Sequence, residues 1–140
     1  MSQPLTPPDV GMDELDEPFW EACKREEFLL HVCATCGRAY WPATACLEHG
    51  WAPMAWQPGS GRGVVHTYTV VHKAYLPWLA ERVPYVLAVV QLDEGPFFHT
   101  NVIDCAPSDV TVGMRVEMTF GEAADGWVLP YARPATSTGR

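Results

Sequence analysis

The sequence predicts a mainly β protein that begins with a short helix, continues through a small zinc-ribbon layout and ends in an antiparallel barrel of five strands. Two observations carry this prediction. A cysteine-based motif occurs twice between residues 33 and 50, and five strand-like segments follow residue 61 with turn residues between them. With 140 residues, the chain is long enough for one ordinary domain or two very small ones.

A helix is predicted for residues 16 to 28, DEPFWEACKREEF. Asp16 can cap its N terminus, Pro18 suits the first turn, and the apolar side chains follow a three-to-four spacing, so we expect about three turns. Residues 1 to 15 carry prolines and acids without periodicity, which predicts a flexible N-terminal arm. Residues 134 to 140 are expected to form a flexible C-terminal tail.

The repeated motif consists of a cysteine, two residues, a second ligand-type residue and a glycine. It occurs as CATCG at residues 33 to 37, the first knuckle, and as CLEHG at residues 46 to 50, the second knuckle. Zinc prefers a tetrahedral set of thiolates and imidazoles, and a turn of this kind presents two ligands on one side of a tight loop. The final glycine allows positive φ and leaves backbone N–H groups free to point at the sulfurs. The four predicted ligands are Cys33, Cys36, Cys46 and His49.

Nine residues separate Cys36 from Cys46, which is enough for a strand out and a strand back. The two knuckles can therefore converge on one ion. Because four protein ligands leave no open coordination position, the zinc would be structural and not catalytic. The alternative is that the fourth ligand, His49, has been lost and that the second knuckle survives as packed structure.

Residues 16 to 57 are thus predicted to hold the helix and the ribbon, and residues 58 to 133 the barrel. The segment from Pro53 to Gly61 is rich in glycine and proline and is interpreted as the linker between them. Residues 74 to 84 are too polar and proline-bounded for a strand, so we expect a short helix or lid beside the barrel. The predicted strands lie in GVVHTYTVVHK, VPYVLAVVQLD, FFHTNVID, MRVEMTF and GWVLPYA.

Composition argues against several classes of function. The net charge of −8, with only Lys24 and Lys73 as lysines, gives no basic stripe that could follow a nucleic acid. No long apolar run occurs, and the N terminus is acidic where a signal peptide is basic and then apolar, so we expect a soluble, cytoplasmic protein without a membrane partner. Cys23 and Cys105 stand apart from the motif and are interpreted as small packed hydrophobic residues.

No catalytic residue is predicted. GSGRG, residues 59 to 63, lacks the Lys-Ser/Thr ending of a phosphate-binding loop and precedes a strand, so a turn with a bulge is the preferred interpretation. Four histidines lie in strand-like sequence without a neighbouring nucleophile motif, and packed or outward-facing roles are preferred for them. They are His31, His66, His72 and His99.

The order of these motifs resembles the DUF35 family of small proteins. The series runs from a helix containing FW through CATCG, YWP and the second knuckle to SGRGVVHTYTVVH, PYVLAVVQLDEGPFF and DVTVGMRVEMTF, over residues 17 to 132. The resemblance implies a rubredoxin-like zinc ribbon joined to an OB-fold barrel. The sequence departs from the family pattern at His49, where the family has cysteine, and this departure concerns the metal and not the fold.

What the resemblance implies about function is an accessory role. DUF35 proteins are similar to accessory subunits of thiolase-superfamily enzymes, including aldolases and acyltransferases that act on coenzyme A thioesters, for example in steroid side-chain degradation. The implied assembly is a hetero-oligomer with a thiolase-like protein that owns the catalytic residues, with acyl-CoA at or near the shared interface. A few cations suffice for one CoA, and the candidates are Arg62, Lys73 and Arg82.

Large apolar side chains exceed what two tiny units can bury, so some are expected to face another chain. The alternative is that the helix packs across the ribbon and barrel and hides Trp20. The candidates for the partner interface are Phe19, Trp20, Trp41, Tyr75 and Trp78. Two other functions stay open: a stand-alone protein that binds acyl-CoA or another small ligand, and an OB module that binds nucleic acid.

Overall fold

The computed structural model describes residues 14 to 123 and 126 to 136, so most of the predicted arm and tail lies outside the described residues. The chain is mainly β, as predicted. One helix, α1, spans Glu17–Lys24, and a small sheet follows from β1 (Leu29–Cys33), β2 (Ala39–Tyr40) and β3 (Met54–Pro58). The barrel strands are β4 (Arg62–Val71), β5 (Tyr85–Leu92), β6 (Phe97–Val102), β7 (Arg115–Glu122) and β8 (Val128–Pro134).

Helix α1 is shorter than predicted, with eight residues. Asp16 occupies the N-cap position, but its side chain makes no capping hydrogen bond, and its carbonyl oxygen instead accepts the N–H groups of Phe19 and Trp20. The helix ends where Glu26 takes a positive φ of 59°. Phe19, Ala22 and Cys23 form its buried face, which agrees with the predicted spacing.

The small sheet has β1 in the centre, with β2 and β3 on either side, both antiparallel to β1. This corrects the interpretation of the segment from Pro53 to Gly61, because Met54–Pro58 forms β3 and pairs along the whole of β1. The apolar character of a strand is weak in MAWQP, and the glycine and proline residues around it concealed the strand. The turn that remains, residues 59 to 61, leads directly into β4.

The five later strands close into a barrel in the order β4-β5-β6-β8-β7, as the sequence predicts in number and position. The prediction of a wholly antiparallel barrel is wrong in one place, because β6 and β8 pair in parallel through Val102 and Ala132. A closed ring with an odd number of strands cannot alternate direction at every step, so at least one neighbouring pair must be parallel. The described barrel is therefore mixed.

Close approach of backbones shapes the first barrel strand. A methyl group at Gly63 would collide with the carbonyl oxygen of Gln91 on β5, so only glycine fits there. A register shift between Val65 and Thr67 marks a bulge in the β4–β5 ladder, which bends the strand as the barrel closes. The preferred interpretation of residues 59 to 63, a turn that leads into a bulged strand, is consistent with this geometry.

One hydrophobic core runs through the helix, the small sheet and the barrel. Phe19 and Cys23 on α1, Leu30 on β1 and Phe98 on β6 belong to the same buried cluster. The segment at residues 74 to 84 contains a single 3-10 turn, Pro77–Leu79, which agrees with the expected short helix beside the barrel. Among the described residues, no helix has the length and apolar character that crossing a membrane requires.

Candidate metal centre and apolar cleft

The two knuckles bring together the four side chains that the sequence predicted as ligands. The Sγ atoms of Cys36 and Cys46 are 3.8 Å apart, and His49 Nδ1 lies 3.5 Å from Cys46 Sγ and 3.8 Å from Cys33 Sγ. All four ligand atoms lie within 4.8 Å of one another. This cluster can hold one metal ion.

These separations fit a tetrahedral site. With Zn–S near 2.3 Å and Zn–N near 2.0 Å, tetrahedral geometry places two sulfurs about 3.8 Å apart and a sulfur about 3.6 Å from a nitrogen. The observed distance between the Cys36 and Cys46 sulfurs is 3.8 Å, and His49 Nδ1 lies 3.5 Å and 3.8 Å from two sulfurs, close to these values. Three thiolates and one imidazole, as in this cluster, are also a donor set that zinc accepts. The alternative in which the second knuckle survives without its fourth ligand predicts no such convergence of His49.

Each knuckle closes in the same way. Gly37 has φ of 77° and Gly50 has φ of 57°, as expected for the glycine that follows the second ligand. Their own N–H groups close the turn and do not point at sulfur. Each donates instead to the carbonyl oxygen of the first cysteine of its knuckle, Cys33 or Cys46, at 2.8 Å.

Other N–H groups of the knuckles do face the sulfurs. Backbone hydrogen bonds from Cys36 and Thr35 lower the pKa of the Cys33 thiol below its ordinary value. The hydrogen bond from the Tyr40 hydroxyl, aided by the backbone of Glu48, lowers the pKa of the Cys46 thiol to about 6. A thiolate at Cys46 is thus favoured near neutral pH, and thiolates are the form that binds metal.

The pKa values of the other two ligands, Cys36 and His49, are also shifted by their neighbours. The hydrogen bond to Cys46 raises the pKa of His49 above its ordinary value. At Cys36, the N–H of Arg38 lowers the pKa, but burial and the neighbouring thiols outweigh it, so the pKa is raised. A cation placed among these groups would therefore relieve the repulsion between sulfurs that compete for one proton.

A second feature is a cleft of about 690 Å³ between the barrel and the segment at residues 74 to 84. Its lining is mostly apolar, and its volume lies in the range of small-molecule sites, about 300 to 1,000 Å³. The floor comes from β5, β6 and β8, and the walls include Trp20, Trp41 and Trp78. Among the described residues, the indole nitrogens of Trp41 and Trp78 are buried without a hydrogen-bond acceptor.

The three predicted CoA-binding cations do not lie together. Arg82 lines the 690 Å³ cleft. Arg62 lines a separate cavity of about 360 Å³ with Glu26, Glu27 and Glu117, and Lys73 lies over the ring of Tyr75 at 5.2 Å. The sequence placed these cations around the first barrel strand and the segment at residues 74 to 84, but Arg62 begins β4 at one cavity whereas Arg82 lies in that segment at the other.

The five candidates for the partner interface differ in exposure. Phe19 has no exposed surface, which corrects its assignment to an interface, because the helix packs it between the ribbon and the barrel. Trp20, Trp41 and Trp78 are half-buried around the cleft, and Tyr75 is 69% exposed. Trp20 packs edge-on against Trp127 at 6.2 Å, so it is partly hidden by the barrel, in line with the alternative considered for it.

The remaining polar candidates lie where packing explains them. His31 is buried, accepts the Thr44 N–H at Nδ1 and stacks on Trp56, and this burial lowers its pKa. The carboxylate of Glu94 accepts the Ser60 N–H in the turn of residues 59 to 63. A phosphate would need that same N–H, so an acidic side chain occupies the position that a phosphate cradle would offer.

Sequence reasoning missed two features of these sites. Tyr40 contacts Cys46, and only its place in the aromatic return from the first knuckle hinted at this. The cleft had no local signal, because its lining comes from segments far apart in the chain. Phe98, Thr100 and Tyr131, for example, line it from β6 and β8.

Comparisons with known proteins agree with this architecture. A family model described as "ChsH2, C-terminal OB-fold domain" matches residues 56 to 121. A "DUF35 domain-containing scaffold protein" of Methanocaldococcus jannaschii is 34% identical over 125 residues, which cover 85% of this chain and 88% of that protein.

A "Probable enoyl-CoA hydratase alpha subunit" of Thermomonospora curvata is 35% identical over 123 residues, or 86% of this chain. The matched region spans only 38% of the length of that subunit. A chain of the solved structure described as "Ltp2-ChsH2(DUF35) aldolase" superposes with a TM-score of 0.82 and 30% identity, covering 91% of this chain and 100% of that chain. The shared fold, the similarity over most of the chain and the paired knuckles together establish that this protein belongs to the DUF35 family.

Proposed function

We propose that this chain is a non-catalytic subunit of a thiolase-superfamily partner and supports the action of that partner on acyl-CoA. The observation that supports this most is its similarity, over 100% of the matched chain, to a component of a protein described as an aldolase. The scaffold and alpha-subunit descriptions of two other relatives point the same way. The steroid side-chain role stays a prediction.

The cleft offers a place for the acyl-CoA. It combines an apolar lining with Arg82 at its edge, which suits a ligand with an apolar part and an anionic part. Arg82 is exposed, so its guanidinium is accessible to a phosphate of the ligand. Of the three predicted cations, we therefore assign only Arg82 to this contact.

The cluster of Cys33, Cys36, Cys46 and His49 is proposed to hold structural zinc. When bound, zinc supplies a crosslink between two knuckles that the small sheet alone does not join. Three of the four side chains are cysteines, and the distances fit a closed tetrahedral set without an open position. The chain's own role here is to present the ligands from two matched turns, which fixes the ribbon beside the barrel.

Coexpression tests the accessory role. The chain is produced with a thiolase-superfamily protein from the same genome, and copurification and acyl-CoA turnover are measured for each protein alone and for the pair. We expect a stable complex and turnover only with both. Turnover of acyl-CoA by the isolated chain would contradict the proposal, and tight binding without a partner would favour the stand-alone binding protein.

A matched pair of variants tests the cleft. In the complex, Arg82→Ala is expected to raise the KM for acyl-CoA, because it removes a cation from the cleft. Arg62→Ala serves as the control, since Arg62 is also an exposed arginine but lies in the other cavity. Equal effects of the two substitutions would remove the cleft assignment.

A further inference from the structure

The two knuckles are attached to the small sheet in different ways. The first knuckle lies between β1 and β2, where the Cys33 N–H donates to the Arg38 carbonyl at 3.0 Å and the Ala34 N–H donates to the Pro53 carbonyl at 2.9 Å. In the second knuckle, the only described ladder contact is the isolated bridge between Cys46 and Gly50, which closes the knuckle on itself. Since no ladder between this knuckle and the strands of the small sheet is described, side-chain contacts contribute to its position relative to the sheet.

Tyr40, on the edge strand β2, supplies such a side chain. Its hydroxyl oxygen accepts the N–H of Leu47 at 3.0 Å and lies 3.4 Å from Cys46 Sγ. A phenol has one proton, and because the Leu47 N–H approaches the oxygen as a donor, the phenol proton is free to point at the sulfur. The hydroxyl thus contacts the second knuckle as acceptor and donor at once.

The ring of Tyr40 is itself held in place. Tyr40 pairs with His31 in the β1–β2 register, so its backbone is part of the small sheet. The guanidinium of Arg38 lies over the ring at 5.4 Å. Separately, the Thr44 N–H donates to His31 Nδ1, and this hydrogen bond ties the segment that enters the second knuckle to β1. The phenol therefore projects from a fixed strand toward a turn for which the described residues show no pairing with a strand.

We propose that Tyr40 is a positioning residue of the metal centre, whose hydroxyl holds the second knuckle against the first and donates a hydrogen bond to the Cys46 sulfur. This inference rests on the metal site proposed above. Tyr40 is not a fifth ligand, because three thiolates and an imidazole already complete a tetrahedral set. A hydrogen bond to a metal-bound thiolate draws electron density away from the metal–sulfur bond, and outer partners of this kind tune metal affinity.

Cobalt substitution reports this contact directly. Co²⁺ replaces the native ion in the full chain, and the thiolate-to-cobalt charge-transfer band is recorded for wild type and Tyr40→Phe. Loss of the hydrogen bond raises the energy of the sulfur lone pairs, so the band is expected to move to lower energy. Transfer of zinc to a chromogenic chelator is expected to become about tenfold faster or more in the variant.

Tyr68→Phe is the matched control, because Tyr68 is a half-buried tyrosine on β4 of the barrel, away from the knuckles. It should leave both the band and the release rate unchanged. An unshifted band in Tyr40→Phe would overturn the proposal even if zinc left faster, since Tyr40 would then support folding only. An unchanged release rate would overturn it as well.

A second variant covers the case in which Tyr40→Phe fails to fold, as judged by far-ultraviolet circular dichroism. 3-Fluorotyrosine at position 40 keeps the ring and hydroxyl and is a stronger donor, so the band should move to higher energy, and an unshifted band again refutes the role. If the wild-type chain binds neither cobalt nor zinc, the metal assignment fails together with this inference. The accessory role, tested by copurification, would stand apart from both results.

Discussion

Phe19→Ala is expected to lower the free energy of unfolding by about 4 kcal/mol. Substitutions of buried Phe by Ala cost about 3 to 5 kcal/mol, and full burial with dense aromatic packing places Phe19 in the upper part of that range. Phe19 is 0% exposed. Ring centroids surround it at 5.0 to 6.4 Å, and they belong to Trp20, Phe28, Trp41, Trp56 and Phe98. These rings come from the helix, the small sheet and the barrel, so the cavity left by alanine cannot collapse by moving one element alone.

The assay is urea denaturation of the zinc-loaded chain, followed by tryptophan fluorescence and circular dichroism. Phe97→Ala provides a control with the same chemical change at the first residue of β6, next to the core residue Phe98. Phe97 is 45% exposed and its ring contacts His66, so a loss of about 1 kcal/mol or less is expected. If Phe19→Ala lowered the free energy of unfolding no more than Phe97→Ala does, the ribbon and barrel would not share one packed core, and the reasoning would be refuted.

Three further predictions concern the metal, the barrel and the helix. Elemental analysis of the purified chain should find no stoichiometric zinc in Cys33→Ser, whereas His49→Cys should retain zinc because four ligands remain. Zinc retained in both variants would exclude the cluster as the metal site. Gly63→Ala should destabilise the chain by about 1 to 3 kcal/mol in thermal denaturation, since the added methyl meets the Gln91 carbonyl, and an unchanged Tm would contradict that close approach. Burial raises the pKa of the Cys23 thiol from 9.0 to about 12, so its stabilising effect is complete below pH 9 and is lost as pH rises toward 12. The stability advantage of wild type over Cys23→Ala should shrink across that interval, and a constant difference would refute it.

Much of the candidate site is visible in the sequence because its chemistry is local. CATCG and CLEHG each fix two ligands within one turn, and a glycine at Gly37 and Gly50 permits the positive φ that the turn needs. β-Branched and apolar runs set off by turn residues likewise predicted the barrel strands. In β5, a nearly continuous apolar run in the sequence, Val86, Ala88 and Val90 are buried on one face. These features depend on neighbours a few residues away, so the sequence alone determined them.

Long-range geometry decided the rest. The parallel pairing of Val102 with Ala132 follows from closing an odd ring of strands, and no single strand encodes it. The separation of Arg62 from Arg82 and the lining of the apolar cleft likewise depend on how separate segments are brought together. A local pattern specifies which face of an element is apolar, whereas strand register, closure and docking determine what that face meets, and only the folded chain supplies them.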